Sequence, residues 1–178
     1  MIHSFRWLGL ALCLCLPYAA TAQDKPAAAA AKPAAAAMPS IDIAKTVVQM
    51  PLKDGVKPED AIDSMKLRAN NINFKLVAHQ PLSKELESMG VKARRMEIFQ
   101  FCDPRIANDM VNHNLAFAAY LPCRIALVED PKGKFHLMTL NLDPFIASSG
   151  LQGDLLKKAM QVRDAIGSIM QAGASGDL

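Results

Sequence analysis

Cys102 and Cys123 are the residues closest to chemistry in this sequence. Each sits where one kind of element gives way to another, in Phe101-Cys102-Asp103-Pro104 and in Leu121-Pro122-Cys123-Arg124-Ile125. Three outcomes are open to them: a structural disulfide, a thiol redox pair, or separate buried thiols. A disulfide needs Cα atoms within about 7 Å of each other. A single helical crossover between parallel strands would leave the sulfurs at opposite ends of a strand, and a seven-residue strand is about 23 Å long. A helix running out to Asn112, with Leu115 to Leu121 running back, would return Cys123 beside Cys102. The break at Asn112-His113-Asn114 favours that second path. The pair would then clamp a loop of about twenty residues, worth on the order of 3 kcal/mol in the chain-entropy description. The clamp is preferred to redox chemistry. There is no C-x-x-C spacing, and Asp103 opposes the thiolate that a helix start would stabilise at Cys102.

The remaining candidates are a carboxylate, an arginine and histidines. In the expected strand Arg94 to Cys102, Glu97, Phe99 and Phe101 share one face and Met96, Ile98 and Gln100 the other. A carboxylate held on an apolar face would have a raised pKa and could serve as an acid or base. An edge position or an ion pair with Arg95 or Arg124 is the plainer expectation. Glu129 is the other acid–base candidate. His136 alternates with Met138, Leu140 and Leu142 on an apolar strand face, a setting that could suit a cofactor. Haem bound through His136 or His113 is one such possibility. His113 lies in a polar helix break, and His79 immediately precedes a loop at Gln80-Pro81. Glu97, Phe99, Phe101, Arg124 and His136 together make the candidate pocket. No metal site is expected, because the cysteines and histidines lack the close pairs that zinc sites use. No glycine-rich phosphate loop and no G-x-S-x-G elbow occurs. The methionines of the second half fit core positions.

These residues must be positioned by an alternation of strands and helices. Thr46 to Leu52 reads as a strand. Pro58 to about Asn71 reads as a helix, with Pro58 in its first turn, Glu59 and Asp60 at its positive end, and Ile62, Met65, Ala69 and Ile72 as its buried stripe. Asn73 to His79 is a second strand, and Ser83 caps a short helix ending near Gly90. After the strand Arg94 to Cys102, Asp103-Pro104 opens a helix in the usual way. Cys123 to Glu129 and Lys134 to Leu142 form an antiparallel pair across the turn Asp130-Pro131-Lys132-Gly133. The last helix runs from about Gly153 to Gln171. Its stripe is Leu155, Ala159, Val162, Ile166 and Ile169, widened by Leu156 and Met170, and Gly173 ends it.

The N-terminal part has a different character. Arg6 precedes the apolar run Trp7 to Leu16, Pro17 breaks it, and Ala20-Thr21-Ala22 fits a small-x-small cleavage site. That is the layout of a secretory signal peptide over residues 1–22, cleaved after Ala22. The run is too short to span a bilayer, which takes about twenty apolar residues. Cys13 and Cys15 leave with it. Residues 23–40 are nearly all Ala, Pro and Lys and read as a flexible linker, because Pro26, Pro33 and Pro39 interrupt any helix. Residues 41–178 have the length of one domain. The formal charge of +3 falls by one with Arg6, and the basic residues are scattered. Nucleic-acid binding is not expected, since it wants a basic face.

Two of these runs carry a family resemblance. Glu97-Ile98-Phe99-Gln100-Phe101-Cys102-Asp103-Pro104 resembles the F-x-F-x-N-P motif of the family called domain of unknown function 302, with Asp103 where the family usually has Asn. Leu121-Pro122-Cys123-Arg124-Ile125 resembles its L-P-x-R-I strand entry, and the coverage is roughly Thr46 to Gly173. The resemblance implies a small α+β fold and no particular reaction.

The expectation is therefore an exported, periplasmic or secreted protein with a single α+β domain. Its sheet is mostly antiparallel, of about five strands, with helices packed on it. It binds a small ligand, a cofactor or a protein partner. A thiol–disulfide oxidoreductase using Cys102 and Cys123 is the alternative, and a haem-binding or structural dimeric domain a further one. Catalysis is not favoured, because no catalytic constellation is present.

Overall fold

Five antiparallel strands carry the domain, joined in the order β1-β5-β4-β3-β2. They are β1 (Val47–Pro51), β2 (Lys75–Gln80), β3 (Met96–Cys102), β4 (Cys123–Glu129) and β5 (Phe135–Leu140). The computed structural model describes residues 40–177. The leader expected over 1–22 and the linker expected over 23–40 lie outside them, apart from Ser40. No described helix is long and apolar enough to cross a membrane.

Period-two alternation decides which face of the sheet is covered. In β3 the side chains of Glu97, Phe99 and Phe101 are buried, while Met96, Ile98 and Gln100 are only partly so. Ile125 and Leu127 of β4 and Leu137 of β5 continue the buried face. On it lie α1 (Pro58–Asn71), through Ile62, Met65 and Ala69, and α5 (Gly153–Ser175), through Ile166, Ile169 and Met170. Each of the Ile and Met side chains among these contributes about 1.5–3 kcal/mol on burial. The α+β expectation holds, and every strand pair is antiparallel.

Three local readings need correction. The second strand starts at Lys75 and runs one residue past its expected end, on to Gln80, with His79 paired to Phe99 of β3. Ser83 does not cap α2 (Leu82–Ser88). Pro81 stands at the cap position and Ser83 is buried in the first turn. Gly173 does not end α5, which continues to Ser175 and stops at Gly176, where φ is +69°. Gly173 serves close approach instead. A Cβ there would lie 2.6 Å from Met65 Cγ, 2.9 Å from Leu137 Cδ1 and 3.2 Å from the Ala61 carbonyl oxygen. Its bare Cα is what lets α5 press against α1 and the sheet.

One α-helix was not anticipated. α4 (Asp143–Ser148) follows β5, with the Asn141 side chain accepting a hydrogen bond from the Asp143 amide and Pro144 in the first turn. Strand β5 accordingly stops at Leu140 and does not reach Leu142.

Candidate functional site

The path between the two cysteines builds a cavity. Phe101 pairs with Cys123, so β3 ends where β4 begins, and the intervening chain goes out and back at that end of the sheet. It goes out as α3 (Pro104–His113) and returns through a 3-10 helix, Leu115–Tyr120. Asp103 starts α3 as its composition demands, its carboxylate accepting from the Arg105 amide at 2.9 Å with Pro104 behind it. Asn114 starts the return by accepting from the Ala116 amide at 2.9 Å.

Between this excursion, α4 and the first half of α5 lies a space of about 320 Å³. That is the lower end of the range for small-molecule sites. Phe74, Phe101, Phe117, Tyr120 and Phe145 line it, five of the seven Phe, Tyr and Trp side chains among residues 40–177. Ile106, Met110, Leu142, Leu151 and Val162 fill most of the rest. Tyr120 and Phe145 meet in a tilted ring contact, centroids 5.6 Å apart and planes 59° apart. Both are partly exposed, and with the exposed Leu115 of the 3-10 helix they are large apolar side chains left open to solvent near this cavity.

Cys102 and Cys123 both line the cavity and both are free thiols. Cys123 packs on the core beside Phe101, whereas Cys102 stands one residue past the pairing, where the chain turns into α3. Burial pushes the Cys102 thiol above its ordinary value, helped by the Asp103 charge. Burial, with a smaller effect of Cys102, pushes Cys123 up to about 11. Neither is poised as a thiolate at neutral pH.

The carboxylate Glu97 belongs to a separate cluster. It is buried, accepting from His79 Nε2 at 2.6 Å and from Arg95 Nε at 2.5 Å. Arg95 also donates through Nη1 to Glu59 of α1 at 2.5 Å, and its amide donates to Glu129 at 3.0 Å. The His79 ring stacks on Phe99, centroids 4.4 Å apart. Burial alone would raise the Glu97 pKa, but the hydrogen bonds from Arg95 and His79 outweigh it and hold the carboxyl below its usual range. Glu97 is thus an ion-paired carboxylate and not a proton donor near neutral pH.

The five residues grouped by sequence as a pocket are therefore dispersed. Phe101 lines the cavity and Phe99 lies in the core. Glu97 is held by Arg95 and His79. Arg124 is exposed on β4 with its main-chain oxygen accepting from Thr139. His136 sits half-buried on β5, Nδ1 3.0 Å from Gln49 Nε2 and Nε2 3.2 Å from Asp130. Its expected neighbour Leu142 is at the cavity instead. His113 ends α3 near Phe117, centroids 6.3 Å apart, and no histidine lines the cavity. Phe117, Tyr120 and Phe145 escaped the sequence reading. The available signal was three aromatic residues in short segments too brief for a periodic apolar stripe.

A family model described as a domain of unknown function, DUF302, matches residues 48–173. The chain belongs to the DUF302 family. A crystal structure of an uncharacterised conserved DUF302 protein from Bacillus stearothermophilus has the same fold, with a TM-score of 0.60 and 15% identity over 71% of this chain and 97% of that one. No curated protein matches the chain. In this DUF302 domain the family's F-x-F-x-N-P run ends β3 and caps α3, and L-P-x-R-I opens β4, so both motifs border the cavity. Asp103 is the side chain that caps α3 here. Asp103→Ala is expected to cost about 1 kcal/mol and Asp103→Asn a few tenths at most, read from urea unfolding midpoints. Equal losses in the two variants would mean that the cap is not what Asp103 supplies.

Proposed function

We propose that this domain is a non-catalytic binding module that holds a small apolar ligand in the cavity between α3, α4, α5 and the shared end of β3 and β4. The observation that carries the reading is the gathering of five aromatic side chains around one open space of about 320 Å³. The space opens to solvent past Tyr120 and Phe145, and a concave, mostly apolar cleft of this size is the form small-molecule sites take. We propose further that the protein acts outside the cytoplasm, on the strength of the signal-peptide pattern in residues 1–22. A mature chain starting at Gln23 in the exported fraction is the expected result of N-terminal sequencing.

Mass spectrometry of the native protein, taken from its own host, tests the binding reading. A non-covalent small-molecule adduct is expected on the wild type and is expected to be lost on Ala107→Phe, which fills the cavity from α3. Absence of any adduct, together with no rise in Tm across a panel of apolar additives, would remove the reading. Circular dichroism of Ala107→Phe establishes that the variant folds.

One observation favours a second reading. Both free thiols face the same cavity, so thiol–disulfide exchange by Cys102 and Cys123 is the alternative. It is less well supported, because burial raises both thiol pKa values and no cation lines the space to stabilise a thiolate. Thiol titration before and after equilibration with glutathione disulfide decides it. Two thiols still titrating at the end would leave binding alone.

A further inference from the structure

We propose that the cavity selects uncharged, planar aromatic molecules and rejects those that carry an anionic or cationic group. This rests on the binding reading above and names its ligand class.

The lining has almost no charge to offer. No Lys, Arg or His is among the lining residues, and Asp103 is their one ionisable carboxylate. Its oxygens are taken by Arg105, which donates from its amide at 2.9 Å, from Nε at 3.4 Å and from Nη2 at 3.2 Å. An anion brought in would find no counter-charge, and a cation would find a carboxylate already paired. Burying a charge without a partner costs far more than apolar contact returns.

Hydrogen-bonding capacity is nearly spent as well. The Ser148 hydroxyl donates to the Pro144 carbonyl at 2.8 Å. The Ser149 hydroxyl donates to the Ile146 carbonyl at 2.7 Å and accepts from the Leu151 amide at 3.2 Å. The Asn114 side-chain oxygen accepts from Ala116. What remains among the side chains is two weakly polar thiols inside, with the Asn114 amide nitrogen, the Tyr120 hydroxyl and the accepting side of the Ser148 hydroxyl on exposed residues. A ligand rich in polar groups would lose its water and regain little. Selection then falls to shape and dispersion, and aromatic side chains favour flat partners through stacked and edge-to-face contact.

The test uses two fluorescent probes with the same ring frame. Phenylnaphthylamine is uncharged, and anilinonaphthalene sulfonate adds one anionic group. Saturable binding of phenylnaphthylamine is expected, about tenfold or more tighter than the sulfonate. Phe117→Ala should weaken it, while Met89→Ser, an exposed apolar site outside the cavity, should leave it unchanged. Equal affinity for the two probes, or tighter binding of the sulfonate, overturns the selectivity while the cavity reading stands. Failure of both probes to bind overturns the two together. Binding that Met89→Ser weakens and Phe117→Ala does not would place the probe on the surface and also overturn the proposal.

Discussion

Gly173→Ala is expected to lower the unfolding free energy by about 2 kcal/mol, although alanine is the better helix former. The new methyl would meet Met65 Cγ at 2.6 Å and Leu137 Cδ1 at 2.9 Å, and both side chains are fully buried with nowhere to move. The Ala61 carbonyl at 3.2 Å prevents α1 from yielding on the third side. Gly167, six residues earlier in the same helix, is the internal control. Nothing lies within 4 Å of a Cβ placed there. Gly167→Ala should therefore stabilise the domain by about 0.5–1 kcal/mol, through helix propensity and a less flexible unfolded chain. Urea unfolding of the two variants measures both effects. Opposite signs are expected. If Gly173→Ala also stabilised, the close approach of α5 would not be a determinant of this core.

Glu97→Ala should cost about 2 kcal/mol at neutral pH, because it leaves the Arg95 and His79 donors facing a gap under α1. Glu97→Gln, which keeps the shape and one acceptor, should cost about half as much. The acid dependence has a definite sign. The folded-state pKa of Glu97 is depressed, so its stabilisation is fully present above the ordinary Glu value of about 4.3. It is lost as pH falls through the lower folded value. Glu59, Asp103, Asp130 and Asp154 are depressed too, so the wild type keeps an acid-labile limb from several groups. The difference between wild type and Glu97→Gln isolates one of them: it should shrink between about pH 5 and about pH 2. A difference that stayed constant over that interval would show that ionisation of Glu97 contributes nothing to the fold.

Much of this architecture can be read directly from periodicity. The alternation in Met96 to Cys102 identifies its buried face, and the stripe from Leu155 to Ile169 identifies α5. The run Asp103-Pro104 announces a helix start because a capping carboxylate and a residue without an amide hydrogen suit nothing else so well. The failures have physical causes of equal clarity. α4 is six residues long, less than two turns, and the apolar Leu137 to Leu142 upstream continues a strand pattern that hides the Asn141 cap. Gly173 carries the same letter whether it ends a helix or lets two elements touch, and only the neighbours across the core decide. The cavity is assembled from Phe74, Phe117 and Phe145 on three separate segments, and its emptiness is a property of their spacing in three dimensions. The expected end of β2 falls one residue early, at His79, because the Gln80-Pro81 step looks like a turn, although the strand includes Gln80.

α5 is one unbroken helix of 23 residues that serves two neighbourhoods. Leu155, Leu156 and Ala159 pack with Ile106, Met110 and Leu151 beside the cavity, whereas Ile166, Ile169, Met170 and Ala174 close the main core, and Val162 touches both groups. A rod shared in this way has no joint at which the two ends can loosen independently. Occupancy of the cavity should accordingly slow amide hydrogen exchange not only around Ala159 but also in the distant turns near Ile169, by the free energy that ligand binding adds to the closed state. The domain would report a small guest at one end as reduced opening throughout its length.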